Sequence, residues 1–314
     1  MDAILRLERI AAAHWRGTEE AWLGGWLLRA ADGFTGRANS ALPLGDPGLP
    51  LDAAITAVTR WYQARGLPPM IAVPAPLDRD GDAAALDAEL ARRGWRVRAA
   101  PAFVMIADEP PGPVPASPAQ PSLPAQPSLP AGLAFRADPV PDDAWLAAYH
   151  YRGLQDPPPV LRTVLTSAAD QLFISIRALT PAPVPLASAP LASAPPEPAA
   201  ADPPGGVAAI ARLSLAAGWA GITAVEVTPS HRRAGLGRAL TREAFSLAAW
   251  HGIGKVFLQV AVDNSAAIRL YERAGFRYSH RYHYRLAPNE FWLGQKGQKG
   301  WKGQGGGRPA VPSG

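Results

Sequence analysis

Apolar and polar positions change period along the chain, and the changes mark out its elements. In the second half, "QLFISIRAL" (171–179) and "VAAIARLSLAAGWAGITAVEV" (207–227) are rich in branched residues and broken by Gly-Trp-Ala-Gly at 218–221, which predicts strands joined by a turn. Ile222–Thr228 alternates as a strand that Pro229 ends. From Gly235 the period becomes helical. Leu236, Leu240, Ala244, Leu247 and Ala248 form one stripe, while Arg238, Arg242 and Ser246 face away. Lys255–Val262 reads as another strand, followed by a short helix that opens at Asn264 and is closed by Gly275.

The first half carries a helical pattern over Asp52–Arg65 and a strand-like "MIAV" at 70–73. Trp26–Leu28 and Phe34–Leu42 read as strands around Asp32-Gly33, with Thr35, Arg37 and Asn39 on one face and Phe34, Gly36 and Ala38 on the other. "LDAELARRGWRV" (86–97) echoes "AIRLYERAGFRY" (267–278), with Gly94-Trp95 matching Gly275-Phe276 and Leu90 matching Tyr271. The first half therefore reads as a degenerate copy of the second, without its glycine-arginine loop.

Three low-complexity stretches divide the chain. Residues 110–130 and 181–204 are Pro/Ala-rich and expected to be extended spacers, the second an overgrown hairpin loop. Such a loop is tolerable, because each doubling of its length costs only about 0.6 kcal/mol. Residues 289–314 form a Gly/Lys-rich tail expected to be disordered. The organisation expected is a degenerate lobe at 1–109, a linker, a catalytic domain at 131–288 and the tail.

Charge and composition narrow the chemistry. The net charge is +5, but four of the cations lie in the tail, so the body is near neutral and no specific nucleic-acid partner is expected. There is no cysteine, which excludes disulfides, thiolate metal sites and an acyl-cysteine intermediate. No run approaches the ~20 apolar residues of a membrane span, and the start lacks the order of a secretory signal, so a cytoplasmic protein with no membrane partner is expected. His280 and His283, three apart on a strand, point to opposite faces, and no metal is assigned.

The sequence "TPSHRRAGLGRAL" (228–240) sits where strand becomes helix. Backbone N–H groups at a helix start lack internal partners and carry partial positive charge, and glycines let a phosphate approach them. A Walker A loop would need Gly-Lys-Ser/Thr, and a dinucleotide fingerprint would need glycine where Leu240 stands. The pattern that fits is Val227-x-Pro229 followed by Arg232-x-x-Gly235-x-Gly237. With Asn264, Ala267, Leu270, Tyr271, Gly275 and Phe276 downstream, it resembles the two signatures of the GNAT superfamily of acetyl-CoA-dependent N-acyltransferases.

The resemblance is strongest over Val225–Phe276. It implies an α+β fold, a mixed and mostly antiparallel sheet flanked by helices, in two tandem lobes. It implies that Val225 and Val227 offer backbone groups to a pantetheine arm. Arg232, Arg233, Ala234, Gly235, Leu236, Gly237 and Arg238 would cradle the pyrophosphate of acetyl-CoA, and Asn264 and Tyr271 would lie along the arm, with Tyr271 near the sulfur.

On that resemblance Tyr271 is the candidate acid, although an aromatic on a short amphipathic helix also serves as core. The superfamily's second-strand glutamate is replaced by Gln259, which cannot take a proton. Glu226 is then the candidate base, or else an exposed strand residue. Thr35, Arg37 and Asn39 are either the outer face of a hairpin or part of an acceptor pocket, in which Arg37 and Asn39 are the candidate substrate residues and Arg37 would hold an acceptor carboxylate. The expected function is direct acetyl transfer from acetyl-CoA to a small-molecule, peptide or protein primary amine in a ternary complex. A non-catalytic coenzyme A-binding module is the alternative.

Overall fold

The computed structural model describes residues 1–78, 82–98, 101–108, 128–150, 158–179 and 206–288. The expected insertion at 181–204, the tail at 289–314 and most of the linker lie outside the described residues.

Chain order is α1 (Asp2–His14), β1 (Glu19–Leu23), β2 (Trp26–Ala30), β3 (Leu42–Pro43), α2 (Leu51–Gln63), β4 (Met70–Ala75), α3 (Asp82–Arg92), β5 (Arg96–Val97) and β6 (Ala102–Asp108). It continues with β7 (Leu133–Asp138), α4 (Asp143–Ala147), α5 (Leu161–Leu165), β8 (Asp170–Ala178), β9 (Val207–Ala216), β10 (Trp219–Val227), α6 (Leu236–Trp250), β11 (Lys255–Ala261), α7 (Ser265–Arg273) and β12 (Arg277–Leu286).

A nine-stranded sheet runs β4-β12-β6-β11-β10-β9-β8-β7, with β5 added beside β12. Every pairing in it is antiparallel except β10 with β11. Strand β8 pairs with β9 on either side of the 181–204 segment, as a hairpin does. The β9–β10 turn falls at Ala217-Gly218, one residue before the predicted position. Both residues have positive φ (51° and 72°), the geometry whose twist suits a two-residue hairpin.

The helix-strand-helix-strand unit α6-β11-α7-β12 repeats α2-β4-α3 with β5 and β6. Even the helix endings match. Gly94 and Gly275 are left-handed (φ 77° and 90°), and the Trp95 and Phe276 N–H groups donate to the carbonyls of Leu90 and Tyr271. The two lobes are not separate sheets, however. Strand β6 of the first lobe lies between β11 and β12 of the second, and β12 pairs with β4 of the first.

Alternation along β11 shows how the sheet is covered. Val256, Leu258 and Val260 pack with the apolar stripe of α6, whereas Phe257 packs with Leu7, Ala11 and Ala12 of α1. Burying each large aliphatic side chain contributes about 1.5–3 kcal/mol, so both helices are held firmly. Among the described residues no helix is long and apolar enough to cross a membrane, and no cluster of three His, Asp or Glu is arranged to hold a metal.

Candidate active site

Strands β10 and β11 pair only at Ala220–Val256, Gly221–Phe257 and Ile222–Leu258. Beyond that a bulge between Thr223 and Glu226 turns β10 away. Ala224 pays for the bulge with a left-handed backbone (φ 52°), a conformation that costs a non-glycine residue about 1–2 kcal/mol. The result is a cleft between two parallel strands, open above Ile222.

The predicted anion loop stands at the mouth of this cleft. Arg233 (φ 64°) and Gly235 (φ 80°) are both left-handed, which folds residues 233–238 over the start of α6. The N–H groups of these six residues have no backbone acceptor among the described residues, and no side chain caps the helix. They face a groove of about 860 Å³ rimmed by Arg232, Arg233, Arg238, Arg242, Arg269 and Arg273. A Cβ on Gly237 would come within 3.1 Å of Leu270 Cδ2 across the groove. Cations, free amides and a glycine floor suit a diphosphate.

Asn264 caps α7, its Oδ1 accepting from the Ala267 N–H at 3.1 Å, which leaves both hydrogens of its amide NH₂ for a ligand. Tyr271 is 6% exposed, edge-on to Phe276 with ring centroids 5.7 Å apart. No group among the described residues bonds its hydroxyl, and burial pushes its pKa up to about 12. It therefore stays protonated at neutral pH.

Glu226 lies on the opposite face of the sheet from Val225 and Val227, which pack towards α6 and α7. Both its oxygens accept from the His150 backbone N–H at 3.0 Å, and His150 Nδ1 is 3.5 Å from Oε2. Burial raises the Glu226 pKa above its ordinary 4.5, with His150 and Arg232 opposing the rise. It is thus neither a freely solvated strand residue nor a locked ion pair.

The predicted strand 34–42 is a loop, with only Leu42–Pro43 extended. Thr35 has φ 61°, and Asn39 is buried with its amide turned inward. Asn39 Oδ1 accepts from the N–H groups of Ala31 and Gly33, while Nδ2 donates to the carbonyls of Ala31, Phe34 and Thr35. Asn39 builds the loop and shares no strand face with Arg37, which corrects the expectation for that pair. Arg37 crosses instead to the other lobe, where its Nη1 donates to Gln259 Oε1 at 3.1 Å. The Tyr282 hydroxyl donates to the same oxygen at 3.2 Å.

Comparison with known proteins fits this geometry. A family model described as probable histone acetyltransferase Rv0428c, C-terminal, matches residues 2–285, through both lobes. The chain belongs to that family. It is a GNAT N-acetyltransferase in fold and class. It is 25% identical over 305 residues to the uncharacterized N-acetyltransferase YobR of Bacillus subtilis, covering 91% of this chain and 99% of that one. It is 49% identical over 72 residues to the probable histone acetyltransferase Rv0428c of Mycobacterium tuberculosis, a stretch that is 23% of each protein. A GCN5-related N-acetyltransferase from Kribbella flavida superposes with a TM-score of 0.55 at 17% identity, covering 91% of this chain and 95% of that one, a likeness of fold.

This acetyltransferase brings the loop 232–238 and Asn264 to one side of the sheet, and Glu226, Gln259 and Arg37 to the other. Sequence reasoning missed His150, which holds Glu226, and Arg242, Arg269 and Arg273, which complete the cationic rim. It also missed Trp15 and Arg212. Arg212 was signalled only as the one charge in the run "VAAIARLSLA" (207–216), and Trp15 by nothing in its own stretch.

Proposed function

We propose that the protein moves an acetyl group from acetyl-CoA directly to a primary amine, both bound at once on opposite sides of the β10–β11 cleft. The observation that carries this reading is the loop of free amides and arginines at the mouth of two parallel strands that part after three residue pairs. The loop residues and the arginine rim hold the phosphates, the parted strand edges at Val225 and Val227 meet the pantetheine arm, and the Asn264 NH₂ steadies it. Acetyl-CoA supplies an activated thioester. Glu226 takes a proton from the acceptor ammonium, so that the nitrogen lone pair forms the new N–C bond as the C–S bond breaks. Tyr271 gives its hydroxyl proton to the departing sulfur, and the second proton that the nitrogen sheds on becoming an amide restores the Tyr271 hydroxyl through solvent. With no cysteine in the chain, direct transfer needs no thiol of the protein's own.

The Mycobacterium relative is named for histone, and a protein lysine is one acceptor this chemistry allows. Gln259, in place of a second acid, favours a binding module without catalysis. Tyr271→Phe separates the two. In an enzyme it lowers kcat by about 10²–10⁴-fold while acetyl-CoA binding stays within a few-fold. Unchanged turnover would remove Tyr271 from the mechanism, and no amine-dependent thiol release by the unaltered protein would leave the binding module.

A further inference from the structure

On the face away from α6, at the foot of the cleft, two arginines lack an acid. Arg212 lies on β9 opposite Thr223, the last β10 residue before the bulge, and is fully buried. It donates Nε to the Leu165 carbonyl at 2.5 Å and Nη1 to the His14 carbonyl and Thr223 Oγ1 at 3.1 and 3.4 Å. Its Nη2 finds no acceptor among the described residues. Arg37 arrives from the other lobe. The two guanidinium carbons stand 4.4 Å (Arg37) and 5.4 Å (Arg212) from the ring centre of Trp15, whose indole N–H is fixed on Thr35 Oγ1 at 2.9 Å.

Neither arginine forms an ion pair among the described residues; the partners of both are neutral. Burying a guanidinium without a counter-ion is costly, and a like charge on the same indole adds to the cost. Burial and Arg37 together push the Arg212 pKa down to about 9. Cation–π attraction offsets only part of this. An anion arriving with the substrate would relieve the rest. The donor's phosphates cannot serve, because their groove is on the other face of the sheet.

Resting on the acetyl-transfer reading, we propose that the acceptor is a small amine that also carries a carboxylate, such as a free amino acid. Arg37 binds that carboxylate, and Arg212 behind Trp15 supplies the second positive charge. Arg37 is half-buried, and apart from the Nη1–Gln259 bond its N–H groups have no partner among the described residues. The cavity beneath it measures about 10 Å³, room for one water and too small for a carboxylate, and Glu8 lines it, so the acceptor's carboxylate meets Arg37 from the exposed side of the fork. The same charges disfavour lysine-rich protein acceptors.

The test measures thiol release from acetyl-CoA with free L-amino acids and with the same residues as C-terminal amides, for wild type, Arg37→Ala and Arg37→Lys. Comparing variants cancels the different basicity of the two amine sets. Wild type should favour the acids in kcat/KM. Arg37→Ala should reduce the acid-to-amide ratio by about 30-fold or more through the acceptor KM, with the acetyl-CoA KM unmoved, and Arg37→Lys should restore part of it. An unchanged ratio in Arg37→Ala, or preference of the wild type for amides or peptide lysines, would overturn the proposal. If Arg37→Ala melts early, product inhibition of wild type by N-acetylated acids against N-acetylated amides makes the same comparison. Acetyl-CoA that stabilises the protein while no amino acid is acetylated would sink this proposal alone. Acetyl-CoA that fails to stabilise it would sink the donor reading.

Discussion

Gly237→Glu puts a carboxylate where the diphosphate is proposed to sit. A ligand that binds only the folded chain at a hundred times its Kd stabilises it by about 2.7 kcal/mol, which for a chain of this size raises the melting temperature by about 4 °C. A glutamate oxygen about 4 Å from a phosphate, at an effective dielectric near 20, is repelled by about 4 kcal/mol per charge pair, enough to remove that rise. The unliganded protein should not suffer. The new Cβ meets only the tip of Leu270 at 3.1 Å, glutamate is a better helix former than glycine, and a negative charge suits the first turn of α6. The assay is thermal unfolding with and without acetyl-CoA. Wild type should show the rise, Gly237→Glu should show an unchanged baseline with the rise abolished, and Gly237→Ala should be intermediate. A full rise in Gly237→Glu would refute the phosphate assignment, and a collapsed baseline would refute the claim that the groove tolerates the side chain.

Two further expectations follow from titrating groups. Burial raises Glu226, so kcat/KM should fall as the pH drops through a value above 4.5, and Glu226→Gln should depress turnover at neutral pH and abolish that acidic limb; a retained limb would move the base elsewhere. His14 is buried against Ser214 Oγ and the Ala216 carbonyl, and burial pushes its pKa from 6.5 down to about 4. Its stabilising contribution is whole above pH 6.5 and is lost as the pH falls towards 4, about 3 kcal/mol in all. His14→Gln should flatten that part of the stability profile measured by urea unfolding, and an equal slope in the variant would contradict the assignment.

What the sequence made legible was local. The elements α6, β11 and α7 fall within a residue or two of their predicted bounds, because each is written in its own periodicity and in cap residues such as Asn264 and Gly275. The loop 34–42 was misread because Thr35, Arg37 and Asn39 alternate with small or apolar residues as a strand's would. What decides its shape is the Asn39 amide gathering five backbone groups between 31 and 35, which no alternation pattern encodes. The placement of β6 between β11 and β12 was equally invisible, since strand pairing is made by backbone groups that every strand carries alike, and β6 lies far from the other two in the chain. The reach of Arg37 to Gln259 depends on that interleaving, across 222 residues of chain. Arg212 was readable only as an oddity, a charge in the middle of an apolar strand.

Direct transfer within a ternary complex is tested by initial rates of thiol release as acetyl-CoA and a free amino acid are varied together. Both substrates held at once on opposite sides of the cleft should give double-reciprocal lines that intersect, with no acetyl group covalently retained on the protein by mass spectrometry. Parallel lines together with an acetylated enzyme residue, or release of thiol that does not depend on the amine, would contradict it.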